Sequence, residues 1–221
     1  MKILNKRALF SVLIVSIVIL FTACSFKMPS FDWFSFSDSD EYALILKEAN
    51  SCQEIENEAT KLSCYKNIEN KNSFAQIRLG TYYANKKEYK DALKYLNQAK
   101  ENKNIYANLP IAFLYYKGEG VTKNLDKSFE LLKEASDIDP IAAYQLSRFY
   151  LQGINTKIDN EKGIELLNFA ASKNVLPAQE ILVNTYKTGL FGQVKDQVKV
   201  EFWQKKIKEN VEDTNYKIYR F

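Results

Sequence analysis

The chain has 221 residues, with 31 Lys and Arg against 27 Asp and Glu, and it contains no histidine. The missing imidazole removes the commonest general base, the commonest metal ligand and every histidine-dependent triad. Three basic residues, Lys2, Lys6 and Arg7, precede Cys24 and no acidic one does, so the remainder carries 28 basic against 27 acidic side chains and lacks the clustered cationic excess that a nucleic-acid groove requires.

The first element is an apolar run from Ala8 to Phe21, which follows those basic residues and leads into Thr22-Ala23-Cys24. Basic start, apolar middle and small residues at the cut are the layout of an export signal. Fourteen helical residues at about 1.5 Å each reach roughly 21 Å, short of the ~30 Å hydrocarbon core. The segment Leu20-Phe21-Thr22-Ala23-Cys24 resembles the lipobox of bacterial lipoproteins. That resemblance implies removal of residues 1–23 and lipidation of Cys24, palmitate included, with enough acyl chains for stable membrane anchoring. By the same analogy Ser25 favours the outer membrane, with the body facing the periplasm. Phe21 departs from the pattern, where a smaller aliphatic residue is commoner, and slower cleavage is expected.

Residues 24–40 are rich in Ser and Asp, with Phe26, Phe31, Trp33, Phe34 and Phe36 between them. They show no helical period and read as a lipidated flexible tether. The aromatics also fit a contact with the membrane interface or a grip on a partner.

From Glu41 onward the apolar residues recur at helical spacing, and no alternating run argues for strands, so an all-α chain is expected. Residues 41–72 form its first part. With Cys24 lipidated, Cys52 and Cys64 remain as an even pair in an oxidising compartment. One unbroken helix would hold them roughly 18 Å apart, whereas a disulfide needs Cα atoms within about 7 Å. Either the chain reverses between them or they do not bond. The expected arrangement is a helical hairpin turning near Glu56 to Ala59 and stapled by the two cysteines. The closing Leu62-Ser63-Cys64-Tyr65 also resembles a short cysteine-hairpin motif of exported bacterial proteins. Redox chemistry would call for closer spacing and a lowered thiol pKa.

Residues 73–221 repeat themselves. Ala107, Ile111, Tyr115 and Gly118 return as Ala142, Leu146, Tyr150 and Gly153 at an offset of 35, and as Ala178, Leu182, Tyr186 and Gly189 at a further 36. Spacings of four, four and three keep these residues on one face of a helix that stops at the glycine. Ten residues after each glycine comes a second stripe: Ser128, Leu131 and Ala135; Gly163, Leu166 and Ala170; Lys199, Phe202 and Lys206. The last stripe fits poorly, as in a terminal unit. An earlier unit carries Leu79, Gly80 and Tyr83, then Ala92, Leu96 and Ala99, with a turn at Asn85-Lys86-Lys87. Small residues at Gly80, Ala92 and Ala99 allow antiparallel helices to approach closely. About four units and a closing cap are expected, with Val211 to Phe221 read as a capping helix and a docking tail as the alternative.

The unit from Ser73 to about Asn104 looks like a tetratricopeptide repeat. The loop Tyr115-Tyr116-Lys117-Gly118-Glu119-Gly120-Val121-Thr122-Lys123-Asn124 is similar to that of the longer Sel1-like repeats, with weaker versions after Leu151 and Thr188. The second glycine is missing from the Gly153 loop. The resemblance spans roughly Ser73 to Ile207 and implies an α-solenoid of antiparallel helix pairs whose concave surface binds peptides or proteins. On that surface the side opposite the packing stripe carries Thr81 and Asn85, then Tyr106, Phe113, Tyr116 and Lys117, then Tyr144, Arg148 and Gln152, and finally Glu180, Asn184 and Lys187. Tyr and Arg dominate binding energies at interfaces. Phe113 and Tyr144 fit packing between repeats equally well, whereas Tyr116 and Arg148 read as exposed.

Carboxylate pairs such as Glu54 with Glu58, or Asp137 with Asp139, belong to a solvated helix face. Gly118-Glu119-Gly120 is a repeat turn and not a phosphate loop, so no cofactor, metal or catalytic residue is expected. The function expected is that of a membrane-anchored, non-catalytic scaffold of the bacterial cell envelope. A peptidoglycan-binding or cell-wall-processing lipoprotein is the alternative.

Overall fold

The computed structural model describes residues 34–210 and 217–221, with side chains from residue 41. The expected signal, Cys24 and residues 24–33 of the tether lie outside the described residues, as does the 211–216 part of the expected cap. Among the described residues there are ten α-helices and no strand: α1 (Phe34–Gln53), α2 (Glu58–Ile68), α3 (Ser73–Asn85), α4 (Tyr89–Glu101), α5 (Asn108–Lys117), α6 (Leu125–Ala135), α7 (Pro140–Gln152), α8 (Asn160–Ser172), α9 (Leu176–Thr188) and α10 (Gln197–Glu209). Short 3-10 turns at Ile105–Ala107 and Leu190–Gly192 precede α5 and follow α9. The chain is the expected all-α solenoid.

α1 begins at Phe34, within the stretch read as a non-helical tether. Ser35, Ser37, Asp38, Ser39 and Asp40 repeat no apolar residue at helical spacing, so periodicity gives no signal for a turn of helix there. Residues 42–221 form one unit around a continuous core. Within it α1 contributes Tyr42, Ile45, Leu46, Ala49 and Cys52, which share one face by their three- and four-residue spacing.

α1 and α2 are the expected hairpin. Cys52 and Cys64 form a disulfide with Cα atoms 5.6 Å apart. The reversal lies between Gln53 and Glu58, slightly earlier than the expected Glu56 to Ala59, because Asn57 starts α2: its side chain accepts the Thr60 amide at 2.9 Å. An Asn at that position satisfies an amide that the helix itself leaves unpaired.

Four pairs then stack in order: α3 with α4, α5 with α6, α7 with α8, and α9 with α10. The predicted first-helix stripes face inward, with Ala107, Ala142 and Ala178 fully buried and Ile111, Leu146 and Leu182 nearly so. Close approach explains two small residues. A Cβ on Gly80 would lie 2.5 Å from Leu96 Cγ, and one on Gly163 would collide with the Leu151 side chain. Gly118 ends α5 at φ 77°, a left-handed conformation that a Cβ disfavours, and Gly153 and Gly189 close α7 and α9 in the same way.

The loops that follow are closed by a repeated device that the apolar pattern does not reveal. The amides of Asn124, Asp159 and Asp196 donate to the carbonyls of Tyr115, Tyr150 and Tyr186, while their side chains cap α6, α8 and α10. The distance from glycine to cap is one residue longer in the last loop. That insertion corrects the last expected stripe: Lys199, Phe202 and Lys206 are exposed, and the neighbouring Val200 and Trp203 are buried in their place. Residues 217–221 are not the expected capping helix. They make one short turn and lie against α3 and the start of α7.

Candidate functional site

The first helices of successive pairs, α3, α5 and α7, share a face that carries two adjoining clefts. A cleft of about 260 Å³ is bordered by Thr81, Asn85, Pro110, Phe113 and Gln145, with Tyr219 as one wall. A second, of about 420 Å³, shares Thr81, Asn85, Pro110 and Phe113 and extends to Lys117 and Glu119. Asn85 and Lys117 are exposed and Thr81 is half-buried, so the predicted Thr81, Asn85, Phe113 and Lys117 stand together as one lining.

Three predicted residues also meet at the seam between the second and third pairs. Phe113, Tyr116 and Arg148 border a small cavity of about 20 Å³, together with Ser128 and Phe149. The Tyr116 ring lies 5.9 Å from that of Phe149, and Arg148 Nη1 donates to Gln145 Oε1 at 2.9 Å. Tyr116 and Arg148 are therefore half-buried instead of fully exposed, held by neighbouring rings and amides. The Ser128 hydroxyl is buried there without a hydrogen-bond partner.

The other predicted residues separate. Tyr106 is half-buried and packs among Tyr42, Phe74 and Tyr219, with ring centroids 6.5, 6.1 and 6.4 Å away. Tyr144 is half-buried, and Gln152, Glu180, Asn184 and Lys187 are exposed; none of these five borders the clefts above.

What sequence reasoning missed lies beside the 260 Å³ cleft, where residues 217–221 are held on the first-helix face. Thr81 Oγ1 donates to the Tyr219 carbonyl at 2.9 Å, and Gln53 Nε2 to that of Arg220 at 2.9 Å. Arg78, fully buried on α3, donates to the carbonyls of Lys217 at 3.1 Å and Ile218 at 3.3 Å, and to Asn50 Oδ1 at 2.5 Å. The Tyr219 hydroxyl donates to Asp139 Oδ2 at 2.5 Å, and the Phe221 ring sits 4.2 Å from Tyr82 and 5.4 Å from Tyr65. Each polar contact here offsets the cost of keeping a polar group from water.

Asp139 was assigned to a solvated face, yet it is 1% exposed. One of its oxygens caps α7 through the Ile141 amide at 2.9 Å while the other holds Tyr219. Burial raises its carboxyl above the ordinary value, against the lowering effect of those two hydrogen bonds. Burial and the Asp139 charge hold the Tyr219 phenol well above its usual range, and burial likewise raises Tyr106. Two signals for this arrangement are present in the sequence: a single Arg inside the largely apolar stretch Phe74 to Gly80, and the cluster of Ile218, Tyr219 and Phe221.

Among the described residues no group of three or more Cys, Asp or Glu is placed to hold a metal ion. The polar groups on this face act as hydrogen-bond donors and acceptors toward the backbone of a short turn and a phenol.

Comparison with known proteins agrees with this geometry. A family model described as the Sel1 repeat matches residues 73–104, 107–139 and 140–175. The structure is similar to a Sel1 repeat protein from Oxalobacter formigenes, with a TM-score of 0.64 and 20% identity over 78% of this chain and 75% of that one. It is also similar to a protective antigen present in uropathogenic Escherichia coli strains that displays an SLR fold. There the TM-score is 0.58 at 18% identity, covering 85% of this chain and only 42% of the antigen. No curated protein sequence matches the chain. Three of the four helix pairs, over residues 73–175, thus match the Sel1 repeat one by one, and the fold is that of the solved Sel1-type repeat structures.

Proposed function

We propose that the chain is a lipid-anchored, non-catalytic scaffold of the bacterial cell envelope that holds a protein or peptide partner on its first-helix face. The observation that carries this reading is the pair of adjoining clefts, 260 and 420 Å³, lined by three successive first helices around Phe113. Interfaces of this kind rest on a few aromatic and Arg anchors surrounded by polar groups, and Phe113, Tyr116 and Arg148 supply them here. The basic start, the apolar run and Cys24 support export, removal of residues 1–23 and lipid attachment; Ser25 supports the outer membrane, with the repeats facing the periplasm.

Crosslinking in intact cells tests the partner reading. The expected result is one defined crosslinked protein, whose capture falls when Tyr116→Ala and Arg148→Ala are combined while helical content is kept. Capture that survives both changes unaltered removes the first-helix face from the proposal. Incorporation of labelled palmitate, lost in Cys24→Ala, tests the anchor. Cosedimentation with purified peptidoglycan in the absence of any crosslinked protein would place the chain in the cell-wall class instead.

A further inference from the structure

The 217–221 segment is a peptide already seated on the face where a partner is proposed to dock. Its backbone is read by side chains of the unit: Gln53, Arg78 and Thr81 donate to the carbonyls of residues 217 to 220. Its side chains are read as well. Asp139 accepts the Tyr219 hydroxyl, and Phe221 lies between Tyr65 and Tyr82. Two of these reading groups are charged types buried to within 1% of full burial, Arg78 and Asp139. Without an occupant, Arg78 would keep only Asn50 and the Tyr65 hydroxyl, 3.5 Å away, and the second oxygen of Asp139 would lose its donor. With residues 217–221 in place both groups are buried and paired, so the segment matches the face that it covers.

The cover is incomplete. Tyr219 is one wall of the 260 Å³ cleft, and that cleft shares Thr81, Asn85, Pro110 and Phe113 with the 420 Å³ cleft beyond it. A longer peptide with the same features would keep the contacts of residues 217–221 and add those over Phe113 that the resident segment does not make.

We propose that this groove recognises a short peptide turn with an aliphatic residue, a tyrosine and, two places after it, an aromatic, and that residues 217–221 hold the groove in cis until such a partner segment replaces them. This rests on the scaffold reading and names the chemistry of its ligand. The tyrosine hydroxyl is selected by Asp139, which a phenylalanine would leave without its donor. The aromatic two places on is selected by the Tyr65 and Tyr82 rings, and Lys61 Nζ lies 6.0 Å from the Phe221 ring on the outer side. Being tethered, the resident segment acts at an effective concentration of order millimolar, so only a ligand with extra contacts displaces it readily.

The test uses the full chain in detergent and a fluorescent peptide of sequence Lys-Ile-Tyr-Arg-Phe, read by anisotropy. The double variant Tyr219→Ala with Phe221→Ala releases the groove, and it should bind the peptide at least about tenfold more tightly than the unsubstituted chain does. Tyr219→Phe, which removes one oxygen and leaves the ring, should give a smaller gain in the same direction. Adding Asp139→Asn to the released chain should weaken binding of the tyrosine peptide more than of its phenylalanine analogue. Equal binding to released and unsubstituted chains overturns the resident occupant, and so does a doubled mass that shows the segment seated on a second copy. No binding to a released chain of normal helical content overturns the groove itself. If that happens while crosslinking still depends on Tyr116 and Arg148, the scaffold reading stands without this ligand; if the crosslinked partner is lost too, both fall.

Discussion

The two ends of the helical stack are closed in different ways. At the first pair, α3 is buried from Ser73 through Gly80, covered by α4, by the stapled hairpin and by residues 217–221. At the last pair only Val200 and Trp203 of α10 are buried, and Val194, Val198 and Phe202 stand 83%, 77% and 50% exposed. A repeat hides its apolar stripe only against a neighbour, so each end of a solenoid needs a cover that is not itself a repeat. The first end has such a cover, built from a hairpin and a distant segment, whereas among the described residues the last end buries Val200 and Trp203 but leaves Val194, Val198 and Phe202 in solvent.

The most damaging way to break that comparison is Phe74→Ala. This ring is fully buried 4.9 Å from Tyr42, and its loss should destabilise the chain by about 3–5 kcal/mol in chemical denaturation. A loss below about 1 kcal/mol would show that the first end is not the tightly covered one.

Replacing Cys52 and Cys64 together by Ala removes the staple, which closes a loop of sequence separation 12. A cost of about 2–4 kcal/mol is expected in thermal melts, and hydrogen exchange should rise first in α2 and α3. Exchange that rises first in α10 would reverse the comparison.

Asp139 sharpens it through pH. Its folded pKa is raised above the ordinary 3.8, so its contribution to stability is fully present below that value and is lost as pH rises through the folded value. The unsubstituted chain should therefore gain on Asp139→Asn as pH falls through that acidic window, in paired melts. Asn keeps the cap on α7, which isolates the titration. Glu58 acts in the opposite sense: its hydrogen bond from Lys86 lowers its pKa below 4.5, and its contribution is present above that value and lost as pH falls through the lowered one. A difference between the two chains that does not change with pH would mean that burial does not govern Asp139.

Phe202→Ala should do least. The ring is half in solvent, and a change within about 0.5 kcal/mol is expected in the same denaturation assay. A loss comparable to that of Phe74→Ala would mean that the last end is covered after all.

The helix pairs were legible because their stripes of Ala, Leu and Tyr recur at 35 and 36 residues and each first helix stops at a glycine. Local spacing sets which side of a helix is apolar, and that side must be buried. The staple was legible from the even cysteine pair, its turn misplaced slightly because Asn57 was not recognised as a cap. The last stripe was misread by one position because one extra loop residue shifts every side chain of α10 around its axis.

Among the predicted binding residues, Thr81, Asn85, Phe113 and Lys117 come together on the clefts, and Phe113 joins Tyr116 and Arg148 at the neighbouring seam. Glu180, Asn184 and Lys187 share the helical position but not the place, since both clefts are lined by α3 and α5, and the smaller one by α7 as well.

By itself the order of residues determined the helical class, the repeat length and the stapled hairpin, because each is written in the local spacing of residue types. Only the tertiary structure decided that Arg78 and Asp139 meet a segment 140 and 80 residues further along. No local period encodes such a meeting: both charged types are buried because the folded stack supplies the carbonyls and the phenol that replace water.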